Sequence, residues 1–159
     1  MGWCVEPMPH HVEKLRTMAI DLPVVISECA ISDHNGTTRM VIGGNEDWAT
    51  GASHVIDDNH EGFKVLDMPV NKHLRVGEIE VKCFTLDTYI ARHHITDIDF
   101  CKIDVEGHEL NILSNYSWRV KPKVIKCEHK HLPGGSLSRI LTPIGYTIFV
   151  EQEDIYAVL

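Results

Sequence analysis

The chain has 159 residues, 43% hydrophobic and 24% charged, with a net charge of -8 at pH 7. This is an ordinary globular composition, long enough for a sizeable core, and it reads as a single domain over residues 1–159. The acidic balance argues against a nucleic-acid partner, whose phosphates need a basic face, and against a polybasic membrane anchor.

No apolar run is long enough to span a bilayer. The opening Met1-Gly2-Trp3-Cys4-Val5-Glu6-Pro7 lacks the basic start and apolar middle of a secretion signal, so the expected location is cytoplasmic. Five cysteines form no CxxC pair, and three sit in strand-like apolar runs. They read as reduced, buried small hydrophobes rather than as a disulfide framework.

In chain order, Trp3-Cys4-Val5 is a short strand. Pro9 opens a helix that carries Val12, Leu15 and Met18 at helical spacing. Pro23 to Ile26 is a second strand. Asp33-His34-Asn35-Gly36 is a turn, and Thr37 to Ile42 is extended. The stretch from Gly43 to Gly62 is rich in Gly, Asn, Asp, Ser and His and reads as a long functional loop. Glu78 to Thr85 alternates as a strand, and Thr85 can cap the helix that follows. Phe100 to Val105 is a strand, followed by a helix with Leu110 and Leu113 on one face. Lys123 to Glu128 is the next strand. Ser136 to Thr142 is a helix stopped by Pro143 and Gly145. Tyr146 to Val150 and Ile155 to Val158 form a terminal hairpin. Alternating strands and helices predict an α/β fold, with a mostly parallel sheet and an antiparallel C-terminal edge.

In such sheets ligands lie beyond the carboxyl ends of the strands, so polar residues there are the candidates. Glu6 ends the first strand, where a carboxylate can accept both hydroxyls of a ribose or simply favour a helix N-terminus. Ala30, Ile31, Ser32 and Asp33 follow the second strand, suited to the edge of an adenine or to an ordinary Asp-Asn-Gly turn. Asp104 and Glu106 leave an apolar strand within three residues, and burying such acids costs several kcal/mol unless they are paired or used. Cys127, His129 and His131 alternate and would share a face if extended. They lack zinc spacing, so no metal is expected, and Glu128 or His129 is read instead as a general base or substrate contact.

Together, Cys4-Val5-Glu6-Pro7-Met8-Pro9, Glu28 to Gly36, Phe84-Thr85-Leu86-Asp87-Thr88-Tyr89, Asp99 to Leu110, Pro122 to Glu128 and Gly145-Tyr146 resemble the FkbM methyltransferase domain. The resemblance implies a Rossmann-like class I methyltransferase fold using S-adenosylmethionine, with O-methylation of a sugar, glycan or small-molecule acceptor. By position, Glu6 would bind the cofactor ribose, and Ala30, Ile31 and Ser32 would border the adenine. Asp104 would lie beside cofactor and acceptor, and Asp104, Glu106 or His129 would take the acceptor proton. Gly51-Ala52-Ser53 resembles a substrate-side segment. The family pattern also carries a strand and an Asp-x-Gly-Ala-Asn turn ahead of the strand ending in Glu6, and this sequence holds neither. The expectation is therefore a domain lacking its first strand, completed by an upstream segment or partner chain, or else an inactive remnant acting as a binding module.

Overall fold

The computed structural model describes residues 1–44, 51–56 and 65–159. Strand β1 (Gly2–Val5) leads into helix α1 (Pro9–Met18), and β2 (Val24–Ser27) runs parallel to β1 with Cys4 opposite Ile26. Pro9 suits the first turn of α1, because its fixed φ is helical and its missing N–H would find no helical partner there. Met8 and Val12 bury the inner side of this unit.

A second sheet has the order β3-β6-β4-β5, built from β3 (Ala30–Ile31), β4 (Gly36–Gly43), β5 (His54–Val55) and β6 (Arg75–Phe84). The long β4–β6 ladder is antiparallel and places Met40, Val81 and Cys83 in one apolar cluster. Part of the loop expected between Gly43 and Gly62 lies outside the described residues; its described portion contains β5. Helix α2 (Leu86–Arg92) starts as its sequence predicts, with Thr85 Oγ1 accepting the Thr88 N–H at 3.2 Å.

The third sheet has the order β7-β8-β10-β9 and comprises β7 (Phe100–Ile103), β8 (Val124–Glu128), β9 (Thr147–Glu151) and β10 (Asp154–Val158). Helix α3 (Glu109–Asn115) connects β7 to its parallel neighbour β8. Helix α4 (Ser136–Leu141) runs into a 3-10 turn at Thr142–Ile144, and Gly145 (φ 113°) ends it in a conformation that suits glycine. The β9–β10 hairpin closes the far edge, with β10 antiparallel to β8.

The α/β arrangement matches expectation, but the sheet is divided. Three pairings are parallel (β1–β2, β3–β6, β7–β8) and four are antiparallel, within three separate sheets. Among the described residues β1 pairs only with β2 and β7 only with β8, and both strands border the same cavity. All five cysteines are free thiols, and Cys29, Cys83 and Cys127 are buried.

The main core packs Ile103, Ile125, Cys127 and Ile155 of the third sheet against Leu113 of α3 and Leu141 of α4. A second cluster of Cys29, Tyr89, Ile90, Ile95 and Tyr116 takes in Val5 and Ile31, and so ties β1, β3 and α2 together. Tyr89 Oη reaches Ser27 Oγ at 2.9 Å across the same junction.

Ile125 is 1% exposed at the centre of the main core, whereas Phe100 on the open edge of β7 is 56% exposed. Ile125→Ala is expected to cost about 2–5 kcal/mol of unfolding free energy. Phe100→Ala is expected to stay within about 0.5 kcal/mol. Urea titrations followed by circular dichroism measure both.

Candidate active site

A cavity of about 480 Å³ opens at the ends of β1, β3 and β7. That volume lies in the range of small-molecule sites. Its lining includes Glu6, Ala30, Ile31, Asp104 and Glu106, so five of the seven sequence-predicted site residues share one space. Gly51 and Ser53, from the predicted substrate-side segment, also line it.

Glu6 is held by its own local structure. Its Oε1 accepts the Met8 N–H at 2.8 Å just before α1, and His11 Nδ1 lies 3.6 Å away. The carboxylate satisfies a helix-start N–H and also lines the cavity. Ala30 and Ile31 are fixed by parallel pairing with Cys83 and Phe84 of β6.

Ser32 lies outside the cavity wall. It is 1% exposed, its N–H donates to the Phe84 carbonyl, and its hydroxyl lies 3.1 Å from Asp33 and 3.2 Å from His108 Nε2. It therefore joins the turn after β3 to the turn after β7 rather than facing the cavity. Asp33 in turn is held below the usual carboxylate range by hydrogen bonds from His34 and Ser32, against a burial effect that acts the other way.

The turn after β7 has an unusual backbone. Glu106 has φ 54° and Gly107 has φ 100°. A left-handed glutamate costs of order 1–3 kcal/mol and persists only where its surroundings fix it. Glu109 supplies that constraint. It is 1% exposed, and its Oε1 accepts the N–H groups of Val105 at 3.0 Å and Gly107 at 3.3 Å. Burial pushes the Glu109 carboxyl up to about 7, with backbone donors from Val105, Glu109 and Gly107 pulling the other way. Asp104 points to Lys102, 2.7 Å from its Nζ.

Glu106 projects toward the end of β8. His131 Nε2 lies 3.5 Å from Glu106 Oε2 and 3.6 Å from Glu128 Oε2, and Lys130 Nζ lies 2.6 Å from Glu128 Oε1. Glu128 and His131 are both buried. Contact with the Glu106 carboxylate raises the proton affinity of His131 above the ordinary imidazole value.

His129 is not part of this group. The chain turns directly after Glu128, with Leu132 N–H bonded to the His129 carbonyl, so residues 129 and 131 do not share the face an extended strand would give them. His129 Nε2 instead meets the Gln152 carbonyl at 3.1 Å, at the β9–β10 turn. The residues that sequence reasoning missed beside Glu106 are His131 and Lys130. The signals for His131 were its place just past a strand end and its alternation with Cys127 and His129.

Fold and site together define an α/β domain that presents carboxylates to a cofactor-sized cavity at its strand ends. The model of the methyltransferase FkbM domain matches residues 1–151, and the chain belongs to that family. It is 26% identical over 170 aligned residues to the 31-O-demethyl-FK506 methyltransferase FkbM of Streptomyces tacrolimicus; the match covers 96% of this chain and 65% of that protein. No solved structure matches the chain. Among the described residues no helix is long and apolar enough to cross a membrane.

The raised Glu109 value has a definite sign. The folded state keeps this proton longer than the unfolded chain does, so the stability it contributes is complete below the ordinary value of 4.5 and is lost as pH rises to about 7. Urea midpoints are expected to fall across that window, by an amount corresponding to at most about 3 kcal/mol. Glu109→Gln is expected to flatten this decline.

Proposed function

We propose that this chain forms the ribose, adenine and acceptor sides of an S-adenosylmethionine-dependent O-methyltransferase acting on a sugar, glycan or small-molecule hydroxyl. The observation that carries the reading is the convergence of Glu6, Ala30, Ile31, Asp104 and Glu106 on one cavity within a chain of this family. The name of the Streptomyces relative, 31-O-demethyl-FK506 methyltransferase, is in keeping with methyl transfer to oxygen.

The cofactor supplies an activated methyl on a sulfonium, so the protein's part is binding, alignment and proton removal. In this reading Glu6 receives the ribose hydroxyls, and Ala30 and Ile31 border the adenine. Asp104 and Glu106 hold the acceptor in line with the methyl group. The hydroxyl proton passes to Asp104, whose carboxylate lines the same cavity; His129 turns to the Gln152 carbonyl instead. The apolar, largely open cavity wall formed by Gly2, Trp3, Phe100 and Cys101 excludes water only when it is covered.

The same reading gives the divided sheet a meaning. The β2-β1 pair and the β7-β8-β10-β9 sheet are two parts of one Rossmann-like sheet, with the place between β1 and β7 taken by a further strand. An upstream segment or a partner chain supplies it. Exposed Met1, Trp3 and Phe100 beside the cavity favour this arrangement, because an added strand would cover them. A binding module without catalysis is the second reading, favoured by the same open gap.

S-adenosylhomocysteine is expected to bind this chain weakly, seen as saturation transfer in ligand-observed NMR. Glu6→Ala is expected to weaken the signal more than Glu106→Ala does. No transfer at millimolar ligand would overturn the methyltransferase reading. Equal effects of the two substitutions would overturn the ribose role of Glu6, and micromolar affinity would remove the need for a further strand.

A further inference from the structure

Beyond the cavity, the buried cluster behind Glu106 has its own chemistry. Glu128 ends β8 and is 7% exposed, and His131 follows it in the next turn at 6% exposed. Glu106 arrives from the left-handed turn after β7. One oxygen from each carboxylate and one imidazole nitrogen all lie within 4.8 Å of one another.

The spacing is informative. His131 Nε2 stands 3.5 Å from Glu106 Oε2 and 3.6 Å from Glu128 Oε2. Both distances exceed the roughly 2.7–3.2 Å of an ordinary N–H···O bond. They match the separation, about 3.3–3.5 Å, of two ligands each some 2.0–2.1 Å from a shared tetrahedral ion. Glu128 adds an independent sign. Its Oε1 is taken by Lys130 at 2.6 Å, but its Oε2 is fully buried and receives no hydrogen bond from the described residues. A buried carboxylate oxygen left so is costly unless a cation meets it.

The charges agree. Two carboxylates lie together in a mostly buried space, and the Lys130 ammonium offsets one of them while also reaching Glu153 at 3.2 Å. A divalent ion would offset the second negative charge. The geometry points to a divalent transition-metal site formed by Glu106 Oε2, Glu128 Oε2 and His131 Nε2, with Zn²⁺ the best-matched ion. One imidazole and two carboxylates suit zinc better than magnesium, which keeps most of its water and prefers oxygen in octahedral order. Three protein ligands leave a fourth position open, and Glu106 brings it beside the cavity. That open position takes a hydroxyl oxygen of the acceptor; this last role, unlike the site itself, rests on the methyl-transfer reading.

Zinc titration of the chain by calorimetry tests the site without cofactor or acceptor, so its outcome is separate from that of the S-adenosylhomocysteine experiment. One Zn²⁺ per chain is expected at micromolar affinity or tighter. Co²⁺ in the same site is expected to show the intense visible bands of a four-coordinate ion. His131→Asn and Glu128→Gln should each weaken zinc at least tenfold. A variant with His10, His11, His93 and His94 all replaced by Asn should bind as the parent does. Should circular dichroism show either buried substitution unfolded, the more exposed Glu106→Gln gives the reading, with the same tenfold loss expected. Absence of stoichiometric zinc would overturn the site. Parent-like affinity in folded His131→Asn or Glu106→Gln would do so too, as would loss of binding in the four-histidine variant.

Discussion

The buried carboxylate of Glu109 organises the part of this molecule where chemistry can occur. By accepting the N–H groups of Val105 and Gly107 it fixes a turn that would otherwise relax, because Glu106 sits in a left-handed conformation that a glutamate seldom adopts. The consequence is directional. Asp104 and Glu106 leave β7 toward the cavity, while Glu106 also reaches His131 and Glu128 at the end of β8. A carboxylate at nearly full burial is an expensive anchor, and its raised proton affinity records that cost. The fold sustains it because both donors are backbone groups that would themselves lack partners without it.

Much of this was readable from residue order. Thr85 before Leu86 announced a capped helix, and Gly145 after Pro143 announced a stop; both are local devices whose chemistry does not depend on the rest of the chain. The gathering of Glu6, Ala30, Ile31, Asp104 and Glu106 was also readable, because strand ends in α/β folds converge on one side. Other features depended on distance in space. His129 and His131 were placed on one face on the assumption that the chain stays extended past Glu128. A hydrogen bond between Leu132 and His129 turns it instead and sends the two side chains to different partners. Ser32 was read as facing a ligand, yet its hydroxyl is spent between Asp33 and His108, a partner 76 residues away that no local pattern announces. The long antiparallel β4–β6 ladder also breaks the simple alternation from which a single parallel sheet was expected, since two strands in sequence can pair either way once the intervening chain is long enough.

The two halves of the site differ in how they are held. The wall that carries Asp104 and Glu106 rests on the main core, where Ile125 and Cys127 of β8 and Ile103 of β7 pack against α3 and α4. The wall that carries Glu6 rests on β1, α1 and β2, attached chiefly through Val5 and the Ser27–Tyr89 contact to the cluster around α2. Charge follows the same division. Glu6 serves a helix start near the surface, whereas Glu106, Glu128, Lys130 and His131 form a compact group at the ends of β7 and β8.

That division has a consequence for how the chain opens. Because no ladder joins β1 to β7 among the described residues, the unit from Gly2 to Ser27 shares few hydrogen bonds with the four-stranded sheet. Its amides therefore exchange through a sub-global opening of lower free energy than the one that exposes β8 and β10. Two tiers of cooperativity are thus expected of this chain by itself, with the boundary between them at the cavity. A ligand that touches both walls couples the tiers into one, so its binding energy appears first as slowed exchange in the N-terminal unit and only afterwards as resistance to global unfolding.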